Sequence, residues 1–432
     1  MVLHCARWAA AGARRRVWGS RVSGGSREGQ LWREWRQTNG SRLAQILSTP
    51  RPTGEPLPIR DEDLPGAAAV EDSAHPAKVA TNVPPRRLAG EIRYKALRTA
   101  RGYVSDQVGL IVPTSLCASQ IGRMIADKLT REAPDGGMRY VALAHTEGCG
   151  VSGGESELLY LRTMAGYLAH PLVRKGLLLE HGCEKTLNDA MRNFLDEQNI
   201  DQTRFGWASI QLDGGLESVT AKVMKWFQTA IADDGGGATK DVGLEAVRLG
   251  LTAVGLVPET VARGCAELGR RIVSSGGTVV VPQNSALLAA PGFAQRLFSS
   301  TGPRPSLAYG QRFAKAGFHI METPTDHQVE TLTGLGATGV EVMLAHTSDR
   351  CLQAHPMIPL LQIGSLVPGP SSSNNRDDLD WVIDSDGKTP AAVADDLVRL
   401  MVRVLSREYT PKSLAQGNTD FQMTRGLLGV SL

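Results

Sequence analysis

The sequence predicts an α/β protein, with two layers of mainly parallel βαβ units forming two packed domains. Two observations lead there. From Val108 onward, short apolar runs alternate with polar, glycine-rich turns and amphipathic stretches, the pattern of strand–turn–helix units feeding a parallel sheet. The chain has 432 residues, of which 42% are hydrophobic and 21% charged. That is too long for one small core, and its composition is that of an ordinary folded chain.

Taken in order, residues 1–48 read as a basic N-terminal extension. Before Gln45 there are nine arginines, no lysine and two acids, Glu28 and Glu34. An arginine-rich, serine-containing, acid-poor start is the signature of an organelle transit peptide. It makes a mitochondrial location the expectation, with a cytoplasmic one as the alternative. Residues 49–100, rich in Pro, Asp, Glu and Ala from Thr49 to Pro85, read as a linker or poorly ordered lead-in.

Residues 101–235 form the first α/β domain. Val108–Val112 runs into Pro113-Thr114-Ser115-Leu116-Cys117 and then an amphipathic stretch through Leu129. Tyr140–Ala144 runs into His145-Thr146-Glu147-Gly148-Cys149, and Gly176–Leu179 into Glu180-His181-Gly182-Cys183-Glu184-Lys185. Trp207–Leu212 ends in Asp213-Gly214-Gly215. Three strands thus each deliver a cysteine to the carboxyl edge of the sheet, where ligands of parallel sheets bind. Cys117, Cys149 and Cys183 are 32 and 34 residues apart, one per βα unit. A single free cysteine is more often an apolar filler, but three at equivalent tips point to a site. The glycine run Asp233–Gly237 lacks the lysine and hydroxyl residue of a phosphate loop and reads as a surface loop.

Residues 236–432 form the second α/β domain, with strands expected at Thr278–Val281, Gly317–Met321, Val340–Ala345 and Ile358–Ile363. Their polar tips carry Pro282-Gln283-Asn284, Glu322-Thr323-Pro324, His346–Cys351 and Gly364-Ser365. Pro368–Asp380 is a loop by composition, and Ala391–Leu405 an amphipathic helix.

Several function classes are set aside. The 47 basic and 44 acidic residues nearly cancel, so charge offers no reason to expect nucleic acid. No run of about 18 apolar residues occurs, so no membrane span is expected. Six cysteines in so long a chain do not make a disulfide scaffold.

The strand-tip motifs resemble those of the altronate/galactarate dehydratase (altronate hydrolase) family. The resemblance rests on Gly102-Tyr103-Val104 with Val112–Cys117, on His145–Gly150, on His181-Gly182-Cys183-Glu184, on Met321-Glu322-Thr323-Pro324 with Leu332-Thr333-Gly334, and on Asp420-Phe421 with Gly429–Leu432. The family's arginine–asparagine pair is replaced by Gln107-Val108-Gly109. Its mid-chain Cys-Gly-Gly-Ser-Asp motif is replaced by Leu251–Gly255, and its small β-domain is not evident in residues 1–100.

The resemblance implies a hydro-lyase that removes water from an aldonate or aldarate to give a 2-keto-3-deoxy acid, using iron or manganese. Three cysteines with one open position suit an iron–sulfur cluster or a single Fe2+, with Cys117, Cys149 and Cys183 as ligands. His145, His181, Glu184 and Lys185 are the candidates for catalysis, with Glu147 beside them, while for Glu184 a place against a helix dipole is an equal reading. Arg350, Thr323 and Thr333 are candidates for substrate binding. Cys265 reads as core filler. A homo-oligomer and a separate small β-domain subunit are the expected partners. The alternatives are a carbon–sulfur lyase acting on a sulfonated hydroxy acid, or a catalytically degenerate binding or scaffold homologue.

Overall fold

The computed structural model describes residues 52–59, 92–134, 137–148, 154–232, 237–298, 303–348, 350–365, 376–384 and 387–424. It divides into units Met1–Thr53 and Gly54–Leu432, and the architecture below is that of the second. The arginine-rich extension, most of the Asp233–Gly237 run, Cys149, most of the Pro368–Asp380 loop and Gly429–Leu432 lie outside the described residues.

Two parallel sheets dominate. The first contains β3 (Val108–Pro113), β4 (Arg139–Ala142), β5 (Val173–Glu180) and β6 (Phe205–Ser209), in the order β4-β3-β5-β6. The second contains β8 (Arg248–Val254), β9 (Thr278–Pro282), β10 (Gly317–Met321), β11 (Val342–Thr347), β12 (Leu360–Ser365) and β13 (Trp381–Ile383), in the order β10-β9-β8-β11-β12-β13. A small antiparallel sheet joins β1 (Tyr94–Thr99) to β2 (Gly102–Val104) and β7 (Thr239–Val242). The main helices are α1 (Leu116–Glu132), α2 (Gly154–Leu168), α3 (Asn188–Glu197), α4 (Leu216–Ala232), α5 (Glu259–Ser274), α6 (Gln328–Ala337) and α7 (Pro390–Leu405).

Helices cover both faces of each parallel sheet. Val108, Leu110 and Val112 of β3 face a core shared with α2, α6 and the second sheet, whereas Ile111 faces a core shared with α1 and α4. A strand buried on both faces must be apolar without alternation, and Val-Gly-Leu-Ile-Val-Pro is. On the far side of the second sheet, Leu249 and Leu251 of β8 and Val342 and Leu344 of β11 pack with α5 and α7.

Several boundaries differ from the sequence expectation. Tyr94–Thr99, within the stretch read as lead-in, is a strand. The expected strand at Val340 begins at Val342 and runs on through His346 and Thr347, which pair with Ala253 and Val254. The next begins at Leu360, after Pro359, which has no N–H to offer a ladder. Strand β8 escapes a hydrophobicity reading because Gly250 and Thr252 interrupt it. The structure shows why Gly250 is there: a Cβ would come within 2.9 Å of Leu335 Cδ2 on α6.

The crossing of α2 and α6 is close at Gly166, where a Cβ would lie 2.5 Å from the Ala337 carbonyl oxygen. Gly166→Ala gains up to about 1 kcal/mol of helix propensity but forces the helices apart, at about 1–3 kcal/mol. It should therefore lower the urea midpoint. Gly269→Ala on α5 is the control, because its Cβ would meet only Phe318 at 3.6 Å; that change should be neutral or mildly stabilising. Equal midpoints for the two variants would refute the close crossing.

Candidate active site

The carboxyl edge of the first sheet is organised by one buried carboxylate. Pro113 ends β3 and Ser115 caps α1, its side chain accepting from Ala118 N–H, which places Cys117 in the first turn. Beyond β5, Gly182 turns the chain with φ +112°, a conformation that favours glycine, and Cys183 follows. Glu184 Oε1 accepts from Thr114 Oγ1 at 3.0 Å, Ser115 Oγ at 2.7 Å and His181 N at 2.6 Å, while Oε2 accepts from Gly182 N at 2.7 Å. Glu184 therefore clamps the β3 tip to the β5 tip. Burial alone would raise its carboxyl, but the bonds from Ser115, His181 and Gly182 outweigh that and hold it below the ordinary range. This corrects the expectation of Glu184 as a proton-transfer group: its acceptor sites are taken and it stays ionised at neutral pH.

His145 is corrected in the same way. The ring is buried, Nε2 lies 3.0 Å from the Pro113 carbonyl, and Nδ1 accepts from Glu147 N at 3.1 Å. An accepting Nδ1 puts the proton on Nε2, and burial lowers the imidazole to about 4. Both nitrogens are used to shape the tip of β4.

His181 stands differently. It is half-buried, its Nδ1 is 3.2 Å from Cys183 Sγ, and its Nε2 makes no hydrogen bond among the described residues. Cys117 and Cys183 are both exposed, whereas Cys265 is fully buried among apolar neighbours with its thiol pushed up to about 12. The first two are therefore not core fillers, and the third is. Among the described residues, no three of His, Cys, Asp and Glu come together as a metal site. Two thiols stand on the adjacent tips of β3 and β5, and Cys149 lies outside the described residues.

Other polar groups take part to which the sequence reading gave no role. Tyr160 on α2 donates to the Thr114 carbonyl at 2.7 Å, and burial, then Glu184 and Glu147, push its phenol up, so it remains a donor. Thr186 Oγ1 donates to Glu157 Oε1 at 3.3 Å, bringing the start of α2 to the β5 loop. Glu322, at the tip of β10, is half-buried, and its carboxyl is raised by burial and by Glu155, against the pull of Arg162. Thr146 Oγ1 donates to Gln422 Oε1 at 2.7 Å, tying the β4 tip to the C-terminal segment.

The substrate-binding candidates are dispersed. Thr333 is fully buried and its hydroxyl accepts from Gln422 N at 3.4 Å, so it anchors backbone; this corrects its expected role. Thr323 is half-buried and donates to the Met321 carbonyl at 3.3 Å. Lys185 is exposed beside Glu184, and Arg350 is exposed beyond β11 of the second sheet.

Residues 108–233 match the D-galactarate dehydratase/altronate hydrolase second domain. That segment is similar to the family's second domain. The galactarate dehydratase/altronate hydrolase match thus spans all four strands of the first sheet with their three cysteine motifs. Comparison with curated proteins finds no match. Among solved structures, similarity reaches a glycosyltransferase from Rickettsia africae ESF-5 at 10% identity and TM-score 0.21, covering 72% of this chain and 92% of that one. A bifunctional methylenetetrahydrofolate dehydrogenase/cyclohydrolase from Campylobacter jejuni is similar at 11% identity and TM-score 0.15, covering 71% and 90%. The calicheamicin glycosyltransferase CalG4 is similar at 12% and 0.17, covering 72% and 96%. Likeness this slight bears on neither fold nor chemistry. No helix among the described residues is long and apolar enough to cross a membrane.

Proposed function

We propose that the protein removes water from an aldonic or aldaric acid at the carboxyl edge of its first sheet, giving a 2-keto-3-deoxy acid. The observation that carries this reading is the Glu184 clamp, which brings the exposed Cys117 and Cys183 tips together within the segment that matches the dehydratase family.

β-Elimination from a hydroxy acid needs a base for the C2 proton and an acid for the departing C3 hydroxyl. His181 supplies the base, because Nε2 is unoccupied among the described residues while Nδ1 is oriented by Cys183. Glu322 supplies the acid: a carboxyl raised by burial and by Glu155 keeps its proton nearer neutrality than an exposed one. Lys185, exposed beside the clamp, holds the substrate carboxylate. Cys117, Cys149 and Cys183 would hold iron, with manganese as the alternative metal. When bound, the metal would acidify the C2 proton by drawing on the carboxylate and α-hydroxyl.

The protein is purified without oxygen, assayed for iron, and incubated with D-galactarate and D-altronate while 2-keto acid is followed. Cys117→Ser and Cys183→Ser should each abolish both iron and turnover, and Cys265→Ser should leave both nearly intact. Colourless, iron-free protein would remove the metal from the proposal. Absence of keto acid from every aldonate and aldarate would overturn the reaction itself.

A further inference from the structure

The carboxyl edge of the second sheet, where β10 delivers Glu322, has a centre between β8 and β11 that this chemistry does not use. All strands of the sheet are parallel, in the order β10-β9-β8-β11-β12-β13. In chain order the first three strands run outward one way from β8 and the last three the other way from β11. That is the doubly wound arrangement, in which the crevice beyond the carboxyl ends of the two central strands is the natural ligand site. The connections leave on opposite faces: α5 packs on the face shared with α7, and Leu352, Ala354 and Met357, between β11 and β12, pack on the face toward the first sheet.

At that edge stands an unsatisfied polar atom. His346, next to last in β11, is fully buried; its Nε2 lies 3.1 Å from Ser365 Oγ at the end of β12, and its Nδ1 has no hydrogen-bond partner. Buried ring nitrogens are nearly always paired, so an orphan marks a place for an absent partner. Beyond the same strand end come Ser348, whose Oγ accepts from Leu256 N across the crevice at 3.1 Å, and the exposed guanidinium of Arg350. Leu256 itself, on the β8 side, is 69% exposed.

The local chemistry rejects a dinucleotide. The turn after β8 has a single glycine, Gly255, with φ +78°. Pro258 caps α5 without an amide hydrogen, and Glu259 occupies its first turn, paired with Arg263 at 2.5 Å. A pyrophosphate needs free amides and no carboxylate at that helix start. Side chains must do the binding, which favours one small anion with an apolar flank.

We propose that this edge is a second ligand site, for a small carboxylic acid, with Arg350 on the carboxylate and His346 Nδ1–H donating to one of its oxygens. In that arrangement Ser365 donates to Nε2, leaving the proton on Nδ1. The proposal goes beyond the dehydratase reading and does not depend on it.

The test uses the full chain with Cys117→Ser and Cys183→Ser, which removes two of the proposed metal ligands, labelled with 15N in its histidines. Titration with lactate should shift the ring signals of His346 saturably, the assignment coming from His346→Asn or, should that variant not fold, from Ser365→Ala. Arg350→Gln should weaken lactate at least about tenfold, the loss of a charge-assisted pair, with unchanged circular dichroism. A His346 signal unmoved by lactate, or equal affinity in Arg350→Gln, overturns the site. Turnover of sugar acids by the unaltered protein is scored separately, so failure of either reading leaves the other standing.

Discussion

Glu184→Ala is expected to lower the free energy of unfolding by roughly 2–5 kcal/mol and to abolish turnover. The carboxylate receives two hydroxyls and two backbone amides. Thr114 and Ser115 can turn their hydroxyls elsewhere, but the amides of His181 and Gly182 cannot move, and each buried donor left unmade costs about 1–3 kcal/mol. The loss falls on the contacts that hold the Cys117 and Cys183 tips together, so activity goes with stability. Glu184→Gln keeps the shape and serves the Oε1 donors, but it turns an amide nitrogen toward Gly182 N–H; its cost should be intermediate. Urea titration and keto-acid assay of both variants decide the point. An alanine variant within about 0.5 kcal/mol of the parent, as for an ordinary surface change, would show that the tips are held by something else.

Acid should unfold the protein before pH 4. His145, His170, His346 and His355 are all buried. His355 Nδ1 accepts from Met357 N and Ile358 N, and its Nε2 lies 2.9 Å from Tyr167 Oη. His170 Nδ1 accepts from Leu172 N, and its Nε2 lies near the Val340 carbonyl. Burial lowers His145 and His346 to about 4, His355 to about 3 and His170 well below its ordinary value. The neutral rings belong to the fold and the unfolded chain takes up protons first, near pH 6.5. Stability is thus fully present above about pH 6.5 and drains away as pH falls toward the folded values. For His145 and His346 the loss is on the order of 3 kcal/mol each. Several such losses match the whole stability of a typical domain, about 5–15 kcal/mol. Glu184, whose carboxyl is depressed by the fold, acts in the same direction at lower pH. The melting temperature should therefore fall steeply between pH 6.5 and 4.5; a flat profile there would mean that these rings are protonated in the native state.

The sequence alone determined the α/β class, the Cys117 and Cys183 strand tips and the helix read at Ala391–Leu405, because these depend on local period and turn chemistry. A near-continuous apolar run followed by Pro-Thr-Ser, or an amphipathic stretch after Thr389-Pro390, is readable without knowing what it packs against. The role of each polar side chain was not readable, because it depends on partners far along the chain. Glu184 and Thr114 are 70 residues apart, and Thr146 and Gln422 are 276 apart. His145 and His181 have the same local setting in sequence, each at a strand tip shortly before a cysteine, yet one is buried with both nitrogens taken and the other is half-buried beside a thiol. Cys183 at a strand tip and Cys265 in a helical stretch were already separable in the sequence, and the structure exposes the first and buries the second. Strand β8, broken by Gly250, became visible only once Leu335 of α6 filled the space that a side chain would occupy. Burial and hydrogen-bond partners are properties of the packed chain, so only the tertiary structure decided which groups support the site and which are left for chemistry.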